Sequence, residues 1–161
     1  MDYIIREMKI EEYPLLEDFL YNAIFIPEWY TKEVPRSIIY ENPLIYEAIK
    51  DFGLHPDDFC LVAEVEDKVV GAVWVGIKES YGYLDKETPS FSISLYKEYR
   101  NRGIGTELMR KMLELLKNKG YKKASLGVNK ENYAVSMYKK VGFEIIEDGA
   151  DETEYLMRIF L

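Results

Sequence analysis

One segment restricts the possible folds of this chain more than any other. Leu108, Met109, Met112, Leu113, Leu115 and Leu116 give residues 104–118 one broad apolar face, and Gly120 follows as a stop. Such a helix needs an apolar surface to cover. Just upstream, 90-SFSISLY-96 alternates polar and apolar side chains, as a half-buried strand does. Strand and helix are joined by 97-KEYRNRG-103, so three basic residues and two glycines, Gly103 and Gly105, gather where the helix begins. A chain of net charge −8 has concentrated positive charge at one helix N-terminus.

The remaining pattern supplies a sheet for that helix to cover. Residues 2–8 read as a strand, and residues 10–24 as a helix with Leu15, Leu16, Phe19, Leu20 and Ala23 at helical spacing. An aromatic stretch broken by Pro27, Pro35 and Pro43 follows, then a short helix over 43–52 that stops near Gly53. Strands are expected at 59–66 and 69–78, with Asp67-Lys68 as the hairpin turn, and residues 79–89 form a loop. After the long helix come a strand at 123–128, a helix at 131–140 and strands at 143–148 and 153–161. This order implies a layered α/β domain around a central sheet, and one domain suffices for 161 residues.

Charge is distributed unevenly along the chain. Residues 1–90 carry 8 basic and 19 acidic side chains, residues 91–140 carry 12 and 4, and residues 141–161 carry 1 and 6. An anion-binding segment therefore lies between regions better suited to a cationic partner. The acidic balance argues against nucleic acid as a partner. No apolar run approaches the ~20 residues that span a bilayer, and the acidic, interrupted start does not read as a signal peptide. Cys60 stands alone, so no internal disulfide or cysteine-rich metal site is expected, and a reducing cytoplasm fits. The lone His55, in a loop, is not a metal ligand set.

The turn at 100–106 has the chemistry of a pyrophosphate seat. Gly103 and Gly105 let main-chain N–H groups converge on an anion. The helix N-terminus adds unpaired N–H groups and a partial charge of ~+0.5. Arg100 and Arg102 offer forked contacts to phosphate oxygens. A Walker A loop needs Gly-Lys-Ser/Thr, whereas Thr106 directly follows Gly105. A Rossmann fingerprint needs a third glycine where Leu108 stands and an acid about twenty residues on, yet no Asp or Glu occurs from 115 to 130.

Arg100-x-x-Gly103-x-Gly105 resembles the Arg/Gln-x-x-Gly-x-Gly/Ala signature of the GNAT superfamily of N-acetyltransferases. The segment 132-NYAVSMYKKVGFE-144 resembles the family's Asn-x-Ala-x-x-x-Tyr-x-x-x-Gly-Phe stretch, about thirty residues downstream with one strand between. The resemblance implies a mixed, mostly antiparallel sheet of about seven strands, splayed between the fourth and fifth, with helices on both faces. It also implies acetyl-coenzyme A as co-substrate and no metal.

By the same resemblance, Arg100, Asn101, Arg102, Gly103, Ile104, Gly105 and Thr106 hold the pyrophosphate. The backbone at Ile93, Ser94 and Leu95 pairs with the pantetheine arm, with the Leu95 N–H near the thioester carbonyl. Asn132 and Tyr138 touch the coenzyme, and Tyr138 gives a proton to the departing thiolate. From spacing alone, Tyr138 could equally pack within the stripe Ala134, Met137, Tyr138 and Val141. Gly127 marks either a strand approached closely by another chain or a bulge. Cys60, in an apolar strand without a basic neighbour, is a packing residue, which favours direct transfer over an acyl-cysteine.

The general base is not assigned. Relatives carry a glutamate on or beside the fourth strand, but Ser90, Ser92 and Ser94 offer no carboxylate here. Glu64, Glu28 and Tyr83 stand as substitutes. The acceptor is expected to be a small cationic amine approaching through 24–58 and 79–89, where Glu28, Trp29, Tyr46 and Tyr83 supply charge and aromatic faces. A homodimer is the assembly to test. The alternative reading is a non-catalytic acetyl-coenzyme A sensor or a degenerate association domain, which the missing carboxylate on the fourth strand keeps open.

Overall fold

Seven strands form one sheet in the order β1-β2-β3-β4-β5-β7-β6 in a computed structural model, which describes residues 2–161. They are β1 (Ile4–Glu7), β2 (Phe59–Val65), β3 (Lys68–Gly76), β4 (Ser90–Leu95), β5 (Lys123–Asn129), β6 (Glu144–Asp148) and β7 (Glu154–Phe160). Every neighbouring pair is antiparallel except β4 and β5. The helices are α1 (Leu15–Ala23), α2 (Ile38–Glu41), α3 (Pro43–Tyr46), α4 (Ile104–Asn118) and α5 (Ala134–Lys140).

The central strands are apolar on both faces because both faces are covered. Alternate residues Cys60 and Val62 of β2, with Ala72 and Trp74 of β3, pack against Leu16, Phe19 and Leu20 of α1. The intervening Leu61, Ala63, Val73 and Val75 meet Leu108, Met112 and Leu116 of α4 on the other side. A strand buried on both sides reads as a continuous hydrophobic run, as 69–76 does. At the outer edge, β6 stays largely exposed and carries Glu144, Glu147 and Asp148, charges that discourage further strand addition.

Prolines account for two of the differences from the sequence reading. The helix expected over 10–24 splits into a 3-10 turn at Ile10–Glu12 and α1, with Pro14 at the break. Proline has no N–H to continue the ladder and is tolerated only in a first turn. The helix expected over 43–52 becomes α3 followed by turns up to Gly53, and a further short helix, α2, precedes it. Asn42 between them is held extended (φ −105°, ψ 108°) by the proline that follows. The β2–β3 hairpin turns at Glu66-Asp67, one residue earlier than expected, with Val65 paired to Lys68. Both turn residues have positive φ (49° and 63°), which matches the twist of a two-residue type I′ hairpin.

Gly127 is approached closely, as one of the two readings has it, and the neighbour is the protein's own backbone. A Cβ at Gly127 would lie 2.5 Å from the Tyr81 carbonyl oxygen, and one at Gly82 would lie 2.8 Å from the Gly127 nitrogen. The chain that passes β5 so closely is therefore the protein's own 79–83 loop. Ser125 Oγ fastens the loop by donating to the Gly82 carbonyl at 2.6 Å, and Lys123 pairs with Asp85 at 2.7 Å. Gly127→Ala forces backbone apart from backbone, and we expect it to destabilise the fold by about 1–3 kcal/mol, read as a lower urea midpoint.

Candidate active site

Strands β4 and β5 run parallel but share only one register pair, Ser90 with Ser125, reinforced by the Ser125 N–H donating to the Pro89 carbonyl at 3.0 Å. Beyond that point they diverge. On the β3 side the ladder continues, and the Tyr96 N–H donates to Val70. Because antiparallel bonding alternates, the main-chain groups of Ile93 and Leu95 point away from β3 into the gap. Ser94 has its backbone turned to β3, so it contributes a side chain instead. Its hydroxyl is buried with no hydrogen-bond partner.

Helix α4 starts at the mouth of this gap. Gly103 holds φ +85°, a left-handed conformation that favours glycine, and nothing lies within 4 Å of where a Cβ would stand. Asn101 is also left-handed (φ 60°), a conformation its side chain tolerates. Among the described residues, no protein oxygen accepts from the N–H groups of residues 101–106. Those amides converge at the positive end of a 15-residue helix.

A groove of about 640 Å³ runs from this turn along β4. Its walls include Ile93, Ser94 and Leu95 from the strand, and Arg100, Asn101, Gly103, Gly105 and Thr106 from the turn. Asn132 and Tyr138 also line it. Lys140 joins Arg100 as a second cation, and no carboxylate lines the groove. Two expected residues act otherwise. Ile104 is buried against the core under α4, leaving only its N–H at the turn. Arg102 lies outside the groove, exposed, with Nε donating to the Glu98 carbonyl at 3.3 Å. Arg100 also braces the structure, since its Nε donates to the Leu95 carbonyl at 3.0 Å. The free amides, the cations, the unpartnered Ser94 hydroxyl and the glycine cradle together fit a diphosphate carrying a long polar arm.

Tyr138 stands where this groove meets a second cavity of about 320 Å³, and it lines both. Helix α5 ends two residues after it, at Lys140. Gly142 is left-handed (φ 113°), the Phe143 N–H donates to the Tyr138 carbonyl at 3.0 Å, and the Gly142 N–H donates to Lys139. These bonds form a Schellman cap, and the Phe143 ring lies edge-on to Tyr138 at 6.4 Å. Asn132 Oδ1 accepts from the Ala134 N–H at 2.9 Å at the other end of the helix. The phenol is thus anchored by its backbone and ring, while its hydroxyl has no protein partner among the described residues. Burial is the main cause that pushes its pKa up to about 12, with Tyr133 adding to it, so it remains a proton donor at neutral pH.

The second cavity carries the opposite charge. Asp151 and Glu154 line it, and no Lys, Arg or His does. Glu154 opens β7 opposite Asn129 at the end of β5. Burial, and then the charge of Asp151, raise its pKa to about 7, while the Asn129 amide acts in the other direction. Asp151 keeps its own carboxyl below the usual range through bonds from the Thr153 hydroxyl and N–H.

The residues expected to hold an acceptor do not meet at this cavity. Glu28 and Trp29 are exposed, with Trp29 at 71%, and Tyr46 packs against Tyr40 at 5.2 Å. Tyr83 is half-buried in the loop that roofs β5, and none of the four lines the cavity. Phe25 and Tyr81 are the aromatic residues of those segments that do, and Tyr81 Oη accepts from Asn42 Nδ2 at 3.0 Å. Glu64 is also placed elsewhere, paired with Arg6 at 3.1 Å. Cys60 is buried under α1, where burial pushes its thiol far up, so it packs and does not react. Asp151 and Glu154 carried little signal in the sequence beyond the acidic balance of the tail.

No group of His, Cys, Asp and Glu able to hold a metal occurs among the described residues, and no helix is long and apolar enough to cross a membrane.

Known proteins share this fold and parts of this sequence. An N-alpha-acetyltransferase of Saccharolobus solfataricus is 31% identical over 144 residues, covering 78% of this chain and 82% of that protein. Acetyltransferase SG1711 of Sodalis glossinidius is 34% identical over 92 residues, 56% of this chain, and the aligned stretch spans 61% of its length. The crystal structure of PaiA N-acetyltransferase from Thermoplasma acidophilum in complex with coenzyme A superposes with a TM-score of 0.71 over 100% of both chains, at 20% identity. At that identity the likeness speaks for the fold. The model of the Acetyltransferase (GNAT) family matches residues 20–143, and together with the splayed strands and the glycine turn this places the chain in the GNAT family of acetyltransferases.

Proposed function

We propose that this chain transfers an acetyl group from acetyl-coenzyme A directly onto the nitrogen of a cationic amine. One observation carries the reading: a basic, amide-lined groove and an acidic cavity adjoin along a shared wall that includes Ile93, Asn132 and the Tyr138 phenol. The groove favours a pyrophosphate, the cavity favours an ammonium, and opposite fields hold the two reactants on opposite sides of the transfer point.

In this reading the amides of residues 101–106, with Arg100 and Lys140, bind the diphosphate. The gap-facing groups of Ile93 and Leu95, with the Ser94 hydroxyl, orient the arm that carries the thioester. The Leu95 N–H faces the developing oxyanion, and Tyr138 donates a proton to the leaving sulfur. The acceptor is a small or amino-acid-like primary amine. The archaeal relatives named for N-alpha acetylation support an α-amine as one such acceptor, since it presents the same ammonium. Two carboxylates in the cavity support the catalytic reading over a non-catalytic binder, the argument for which rested on the absence of a carboxylate from β4.

The test is release of free coenzyme A thiol from acetyl-coenzyme A with a panel of cationic amines and short peptides. Turnover with at least one amine is expected; tight coenzyme binding without release for any amine overturns the reading. Gly103→Val puts a branched side chain into the cradle at a φ it resists, and calorimetry should show at least about a tenfold weaker affinity for coenzyme A, roughly 1.4 kcal/mol. Tyr138→Phe should lower kcat by about 10²-fold or more while the coenzyme affinity changes far less.

A further inference from the structure

We infer that Glu154 is the proton acceptor of the transfer, with Asp151 beside it as a fixed charge that tunes it. This rests on the acetyltransferase reading above and supplies the base that β4 does not carry.

Topology places Glu154 at the site although it lies near the end of the chain. Strand β7 inserts between β5 and β6, so its first residue pairs with Asn129, the last residue of β5, where β4 and β5 stand apart. From there Glu154 lines the same cavity as Tyr138, Ser92 and Ile93. Main-chain bonds close the turn that precedes it. Gly149 N–H donates to the Glu154 carbonyl at 2.8 Å, and the Glu154 N–H donates to the Asp151 main-chain carbonyl at 3.2 Å. Among the described residues no cation lines the cavity beside Glu154, and the nearby Lys130, whose charge reaches Asp151, pairs with Asp148 at 2.7 Å. The polar and charged side chains that line the cavity with it are Asp151 and Thr153 from the turn, Asn129 from β5, Ser92 from β4, Ser80 and Tyr81 from the loop, and Asn132 and Tyr138 at α5. A carboxylate placed in this way is half-protonated near neutral pH, so it can take a proton from an ammonium and release it to solvent.

The proton balance closes with two groups. Glu154 removes the first proton from the ammonium, which frees the nitrogen lone pair to form the C–N bond as the C–S bond breaks. Tyr138 protonates the departing sulfur and recovers the second proton lost by the nitrogen. One proton leaves to solvent from Glu154. Base and acid are thus separate side chains on separate elements. Asp151, held ionised by Thr153, keeps the proton affinity of Glu154 high enough for the first step.

The experiment combines carboxyl-carbon NMR titration of the free protein with the pH dependence of kcat/KM for one accepted amine. Glu154 should titrate near pH 7, and kcat/KM of the wild type should rise through the same pH. Glu154→Gln should lose that limb and about 10²-fold or more in kcat, with coenzyme A affinity by calorimetry unchanged. Glu154→Asp should keep a limb. Asp151→Asn should move both the NMR titration and the limb to lower pH, a shift that loss of packing alone would not produce. An ordinary carboxylate titration for Glu154, or a Glu154→Gln enzyme that keeps the wild-type limb and rate, overturns the assignment alone. A wild type that acetylates no amine overturns the acetyltransferase reading and this assignment with it.

Discussion

The single parallel contact between β4 and β5 organises everything that follows. Elsewhere the sheet is a continuous antiparallel ladder, but here pairing ends after Ser90 and Ser125. Two sheet halves are thus joined at one end and open at the other. The open end exposes unpaired main-chain groups on β4, and such groups are stable only if water or a ligand satisfies them. The 79–83 loop, seated on β5 through Gly82 and Gly127, lines one side of the opening. The N-terminus of α4 faces another, so a helix field and a strand edge address the same space.

The charge pattern acquires a spatial meaning in this frame. The basic run over 91–140 contributes Arg100 and Lys140 to one side of Tyr138, and the acidic tail contributes Asp151 and Glu154 to the other. Most of the remaining charges solvate helix faces and edge strands. Four side chains in two cavities therefore accomplish what regional averages could only hint at. The two carboxylates also differ in kind: Asp151 is held ionised by hydrogen bonds, whereas burial leaves Glu154 able to exchange a proton.

Local chemistry was legible in the sequence, and non-local pairing was not. The glycine turn, α4 and the tyrosine before Gly142-Phe143 are each specified within a dozen residues, and the structure places them much as spacing and resemblance imply. Proline effects at Pro14 and Pro43 are equally local but were outweighed by the apolar periodicity around them. The acidic cavity is different in origin. It forms because β7, last in the chain, lies inside the sheet beside β5, and no pattern near residue 154 reports that neighbour. The aromatic and acidic residues of 24–58 looked more suitable by composition, yet Trp29 and Glu28 turn to solvent.

The helix terminus beneath Tyr138 has a consequence for how kinship should be interpreted. A phenol must be immobilised without tying up its oxygen, and a left-handed glycine four residues later, followed by a ring that leans on it, achieves this with main-chain bonds alone. Likeness at these positions therefore records a mechanical solution for holding one hydroxyl still. The acidic cavity draws on other elements, among them the 79–83 loop and the segment 149–154, which this anchorage does not touch, so the hydroxyl can stay fixed while the lining beside it changes.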